Sequence, residues 1–129
     1  MNKSELLKEQ VQRNSGVNVL KCMRCGKCSA TCPNYDVMEY HPHQFVNMVE
    51  NNQVELLMKS ESLYMCLTCF ACVERCPRGV EPGKLVEAIR LEAVRIKENN
   101  HLKPDQIVKK LTDKMPQQAI VTAFRKYTK

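Results

Sequence analysis

The eight cysteines fall into two runs of one spacing, Cys22-x2-Cys25-x2-Cys28-x3-Cys32 and Cys66-x2-Cys69-x2-Cys72-x3-Cys76, each followed at once by a proline, Pro33 and Pro77. Thiolates are soft metal ligands, and this spacing closed by proline is the bacterial-type run that holds four-iron four-sulfur clusters. Three cysteines at intervals of three let one loop wrap a cubane and reach three of its iron corners. The fourth corner must be reached from elsewhere, and in two-cluster proteins the fourth cysteine of each run ligates the other cluster. The spacing therefore predicts two [4Fe-4S] clusters, one on Cys22, Cys25, Cys28 and Cys76, the other on Cys66, Cys69, Cys72 and Cys32. Pro33 and Pro77 fix φ, donate no N–H, and turn the chain out of the ligand loop.

Other chemistries are poorly served. The N-terminus, MNKSELLKEQVQRN, alternates charged and apolar residues and lacks the basic start and continuous apolar stretch of a signal peptide, which predicts a cytoplasmic protein. Thiols are kept reduced there, so a disulfide framework is not expected. No apolar run approaches the roughly 18 residues of a membrane span. Structural zinc is the competing use of the cysteines, but it usually takes two Cys-x-x-Cys pairs separated by a longer loop rather than a close triplet plus one. The four glycines, Gly16, Gly26, Gly79 and Gly83, compose neither a dinucleotide fingerprint nor a phosphate loop. With every cysteine spent as a ligand, the chain is expected to hold no catalytic residue and to conduct electrons. His41 and His43, which flank Pro42, read as surface or helix-start residues, and the seven methionines read as gap fillers in the packing.

Charge is unevenly spread. Residues 1–100 hold 13 Lys+Arg against 12 Asp+Glu, while residues 101–129 hold 7 against 2. A four-thiolate cubane carries about −2 when oxidised, so two of them would leave the body at about −3 and the tail at about +5. The basic balance is thus weak support for nucleic-acid binding, and the few aromatics offer no stacking platform.

The elements that must position the ligands read as helices. Between Cys32 and Cys66, Pro42 opens a segment with Phe45, Val46 and Val49 on one face, and VELLMKS follows with Leu56, Leu57 and Met58 beneath the clusters. After the second run, residues 82–98 begin with Pro82 and place Leu85, Ile89, Ala93 and Ile96 on one face, with Glu and Arg opposite. A helix from Pro104 to about Met115 and a last amphipathic turn or two beyond Pro116 complete the chain, and Ser4 to about Arg13 forms another helix at its start. The predicted class is all-α, an α-helical ferredoxin with two crossed cluster-binding runs. Its expected divisions are an N-terminal arm (1–20), a two-cluster domain (21–99) and a basic helical tail (100–129). Ile120, Val121 and Phe124, beside Lys109, Lys110, Lys114, Arg125 and Lys126, mark that tail as a docking arm for an acidic partner, or as a solvated tail lying on its own body.

KCMRCGKCSATCP, the helical spacer, YMCLTCFACVERCPRGV and the helix after it resemble the two-cluster iron–sulfur subunit of heterodisulfide reductase, its C-subunit, from about Gly16 to Asn99. The phrase CxTCxxCxxRCPRGV, Cys66 to Val80, narrows the match beyond the cysteine spacing alone. The resemblance implies a small soluble member of an oxidoreductase complex whose two clusters carry electrons from a flavin-containing subunit to another that bears CCG motifs. In the CCG-motif subunit the mixed disulfide of coenzyme M and coenzyme B is reduced. No adjacent cysteine pair occurs in this chain, so the disulfide chemistry would lie in another. An iron–sulfur subunit of a fumarate reductase or glycolate oxidase type, a free-standing ferredoxin and a zinc-dependent interaction module remain the alternatives. Within the two-cluster reading, Arg24 and Lys27 in the first run, against Leu67, Phe70 and Ala71 in the second, predict the higher reduction potential for the first cluster.

Overall fold

A computed structural model describes residues 1–95, 103–125 and 127 of the chain. Every regular element among them is helical, and the chain divides into two compact units, Met1–Arg95 and Ile96–Lys129.

The first unit starts with α1 (Lys3–Ser15). The Glu5 carboxylate reaches back to accept from the backbone N–H of Asn2 at 3.0 Å, which satisfies one of the donors orphaned at a helix start. Gly16, at φ 69, closes the helix in the left-handed conformation and returns its N–H to the Gln12 carbonyl. Two short helices carry the third cysteine of each run: α2 (Lys27–Ala30) holds Cys28, and a later one, α6 (Ala71–Arg75), holds Cys72. Between the runs lie α3 (Pro42–Glu50), α4 (Val54–Lys59) and α5 (Ser62–Met65). The long helix α7 (Pro82–Val94) ends the unit. Both α3 and α7 open on a proline in the first turn, where the missing N–H costs nothing and φ is already helical.

Helix α7 is the centre of the packing and touches α1, α3, α4, α5 and α6. Its Leu85, Val86 and Ile89 join Val11 of α1, Phe45, Val46 and Val49 of α3, Val54 and Leu57 of α4, and Leu63 of α5 in one continuous apolar core. Cys22, Cys32, Cys66 and Cys76 are packed directly against that core. The cysteine loops are therefore the roof of the hydrophobic interior.

This arrangement bears out the all-helical class and refines its details. Residues 1–20 lie within the first unit, where Val11 and Val17 are buried core residues. Of the trio expected beneath the clusters, Leu57 is fully buried and Met58 partly so, while Leu56 is exposed. On α7, Leu85 and Ile89 are buried and Ala93 half-buried as the periodicity predicts; Ile96 lies outside the described residues. Arg90, expected on the polar side, instead stands on the loop-facing side of that helix.

The second unit holds α8 (Pro104–Lys110) and α9 (Gln117–Phe124), which touch each other. The helix from Pro104 stops at Lys110 rather than near Met115, since Leu111 turns to extended backbone, and Pro116 is the N-cap of α9. No helix among the described residues is long and apolar enough to cross a membrane.

Candidate metal centre

The two cysteine loops share a backbone pattern that the sequence hides. In the first run Arg24 (φ 58) and Gly26 (φ 74) are left-handed; in the second, Thr68 (φ 56) and Phe70 (φ 57) are. These are the second and fourth positions after the leading cysteine in each run. Only Gly26 adopts this conformation without a steric penalty, and for Arg24, Thr68 and Phe70 it persists because the surrounding structure holds it. Left-handed residues in a turn gather backbone N–H groups on the concave side of a loop, a cradle that suits an anion. In keeping with this, the N–H of Arg24 points at Cys22 Sγ at 3.4 Å, and that of Val80 at Cys76 Sγ at 3.3 Å.

Each loop closes over a cavity. One, partly open to solvent, is walled by Cys22, Cys25, Cys28 and Cys76. The other is walled by Cys66, Cys69, Cys72 and Cys32. The fourth cysteine of each run thus stands in the cavity of the other run. The thiol chemistry agrees: the Cys32 pKa is pushed up by burial first, and further by the nearby sulfurs of Cys66 and Cys69.

Two side-chain bonds stitch the crossing. Asn34, two residues beyond Cys32, donates through Nδ2 to the carbonyl of Met65, the residue before Cys66, at 2.7 Å. Arg78, two residues beyond Cys76, donates through Nε to the carbonyl of Lys21, the residue before Cys22, at 3.3 Å. The exit of each run is thereby held to the entrance of the other, and α2 packs on α6 between them.

The N-terminus of α7 lies between the cavities. Pro82 lines the first, and Gly83 and Val86 line the second. The positive end of a 13-residue helix favours negative charge there. Cys72, buried on α6, has its thiol pushed up to about 11 by burial, against which the Gly83 N–H works in the opposite direction. Burial likewise raises Cys28.

Both walls are mainly apolar: Arg78 and His43 stand with Val46 and Val80 around the first cavity, and Asn34 and Thr68 with Met38, Phe70 and Val86 around the second. The hydroxyl of Ser29, next to Cys28, accepts from the backbone N–H of His43 at 3.1 Å and meets its Nδ1 at 2.6 Å. Burial, followed by neighbouring His41, lowers the His43 pKa. His41, the N-cap of α3, stacks on Tyr35 at 3.8 Å and reaches the Tyr35 carbonyl with Nε2. Both histidines sit at a helix start as expected, but the place of His43 in the cavity wall was not readable. Arg24 forms an exposed pair with Glu50 at 3.3 Å, so part of the positive charge expected from the first run is offset. Two contributors went unrecognised in the sequence, Arg90 and Gly83. The signal for Gly83 was a glycine in the first turn of a helix; Arg90, on the polar side by periodicity, carried none.

The residues fit the group that the spacing predicts. Four thiols around each cavity would supply one ligand to every iron of a cubane, over an N–H cradle suited to its negative charge. Among the described residues no three Cys, His, Asp or Glu groups are gathered around a single-ion position; the thiols ring wider spaces.

Comparison with known proteins points the same way. Residues 18–80 match the 4Fe-4S dicluster domain family. The iron–sulfur C-subunit of the CoB–CoM heterodisulfide reductase of Methanopyrus kandleri is 34% identical over 67% of this chain and 44% of its own length. The C-subunit of the ferredoxin:CoB–CoM heterodisulfide reductase of Methanosarcina mazei is 35% identical over 70% of this chain and 55% of its own. The C-subunit of the H2:CoB–CoM heterodisulfide,ferredoxin reductase of Methanothermobacter thermautotrophicus is 30% identical over 67% and 47% respectively. The matched part thus spans about half the length of these curated relatives. The dicluster match and the eight cysteines support two [4Fe-4S] clusters, and over residues 18–80 and the helices around them the chain is similar to the iron–sulfur C-subunits of heterodisulfide reductases.

Proposed function

We propose that this chain is the electron-transfer subunit of a heterodisulfide reductase-type complex. It takes single electrons from a flavin-containing partner and delivers them to a CCG-motif partner that reduces the coenzyme M–coenzyme B disulfide. One cluster is held by Cys22, Cys25, Cys28 and Cys76, the other by Cys66, Cys69, Cys72 and Cys32. The observation that carries the reading is the exchange of Cys32 and Cys76 between the two cavities, which supports two linked sites within one fold.

A [4Fe-4S] cluster supplies a one-electron site that gains one negative charge on reduction. The residues of the chain hold, tune and expose it. The cradle N–H groups and the N-terminus of α7 face the charge, and the core beneath excludes water from the inner wall. Cys25 and Cys69 are the ligands that reach the surface. Beside Cys25, Met23 is 60% exposed; beside Cys69, Leu67 is 63% exposed. Each cluster therefore has its own apolar rim, suited to the small contact patches of electron-transfer encounters. The basic segment 100–129, with exposed Val108 and Val121, acts as the docking element for an acidic partner surface.

Anaerobic purification from native cells, with iron and sulfide quantified and co-purifying chains identified, tests the reading. The expected result is about eight iron and eight sulfide per chain, together with a flavoprotein and a CCG-motif protein. Zinc in place of iron, or a brown protein that purifies alone, overturns it.

A further inference from the structure

Arg90 lies on α7, and its side chain turns to the second cysteine loop. Nε and Nη2 donate to the Leu63 carbonyl at 3.1 and 2.6 Å, Nη2 donates to the Cys66 carbonyl at 3.0 Å, and Nη1 donates to Thr68 Oγ1 at 3.3 Å. The side chain is half-buried, and among the described residues no carboxylate lies within ion-pair distance of it. Arg24 of the first run differs, since Glu50 offsets it.

These contacts hold the loop where it most needs holding. Leu63 precedes the run, Cys66 is its leading cysteine, and Thr68 is one of its two left-handed residues. A non-glycine residue stays in that conformation only where its surroundings over-determine it, and the planar guanidinium fork grips three successive points of the segment. The same fork places a positive charge on the Cys66 carbonyl and the Thr68 hydroxyl, whose residues line the second cavity together with Met38, Phe70 and Val86. A reduced cluster is more negative than an oxidised one, so a fixed cation beside it favours reduction.

We propose that Arg90 is the positioning residue of the second cluster. It locks the Cys66–Cys69 loop in its ligating conformation, and its charge raises that cluster's reduction potential above what the apolar wall alone would give. The inference rests on the two-cluster reading of the chain.

The test uses the full holoprotein, its Arg90→Gln and Arg90→Lys variants, and redox titration followed by EPR, with Cys69→Ser assigning the second cluster's signal. Charge loss in Arg90→Gln is expected to lower the second midpoint and leave the first in place. Arg90→Lys is expected to restore most of the potential, because it keeps the charge. It is also expected to lose iron from the second cluster to a chelator several-fold faster than the wild type, because it lacks the fork. An unchanged second midpoint in Arg90→Gln, or equal shifts of both clusters, overturns the electrostatic part; wild-type iron retention in Arg90→Lys overturns the positioning part. A wild-type protein with fewer than two clusters fails earlier and differently, by sinking the two-cluster assignment itself.

Discussion

Asn34, just past the first run, and Met65, just before the second, are joined by a 2.7 Å hydrogen bond from a side-chain amide to a main-chain carbonyl, and the Arg78 guanidinium reaches the Lys21 carbonyl in the reciprocal place. Each bond fixes where the fourth cysteine of one run meets the triplet of the other. Crossed ligation then has a spectroscopic signature. Cys76→Ser is expected to alter the same EPR signal as Cys25→Ser, and Cys32→Ser the same signal as Cys69→Ser. Asn34→Ala, which removes one neutral hydrogen bond worth about 0.5–1.5 kcal/mol, should speed iron loss from the second cluster only. Cys76→Ser acting on the signal of Cys69→Ser would show uncrossed runs.

Gly83 sits so close to the second loop that a Cβ there would stand 2.7 Å from Phe70 Cδ1 and 3.3 Å from Val73 Cγ2. Phe70 is itself left-handed and lines the second cavity, so it has little room to yield. Gly83→Ala is expected to cost about 1–3 kcal/mol through overpacking, although alanine is the better helix former. Chemical denaturation of the holoprotein measures the loss, and iron release separates the clusters: the second is expected to leave first. Equal stability of Gly83→Ala and wild type would mean that α7 shifts freely against the loop.

The grouping of the cysteines was legible because its information is local: the spacing within each run is that of a loop wrapped around a common centre. Helix starts at Pro42, Pro82 and Pro104 were legible for the same reason, since a proline in the first turn acts on its own residue. Arg90 was not. Its value depends on carbonyls 24 and 27 residues away, which only the folded chain brings beneath it, and by periodicity alone it passes for a polar-face residue. The role of α1 was missed in a similar way, because Val11 is committed to the core by α7, far along the chain. Left-handed Arg24, Thr68 and Phe70 carry no compositional mark at all, being residues that seldom adopt that conformation.

Cluster retention should depend on pH with a definite sign. Ligation requires thiolates, yet burial pushes Cys28 and Cys32 above their ordinary 9.0 and Cys72 up to about 11. In the cluster-free chain Cys28, Cys32 and Cys72 are therefore neutral thiols at pH 7, and inserting a cluster displaces their protons. Falling pH favours the protonated, cluster-free state; rising pH favours the loaded one. Chelator-driven iron loss is expected to be several-fold faster at pH 6 than at pH 8, measured anaerobically by the decay of the cluster absorbance. A rate that rises with pH instead would reverse the sign and place control at a group other than the thiols.

The basic segment beyond residue 100 carries 7 Lys+Arg against 2 Asp+Glu, and its exposed Val108 and Val121 lie among those charges. Charges at the rim of an interface act mainly on the rate of encounter, and salt screens them over about 8 Å at physiological ionic strength. Lys109→Glu combined with Lys110→Glu is expected to slow association with an acidic partner protein about tenfold or more at low salt, with convergence toward the wild-type rate as salt rises. Val121→Asp, which touches the apolar part, should shorten the lifetime of the complex at every salt concentration. Surface plasmon resonance on the purified partner separates the two effects. Association that ignores both the charge reversal and the salt would assign the segment to the chain's own packing and remove it from the docking surface.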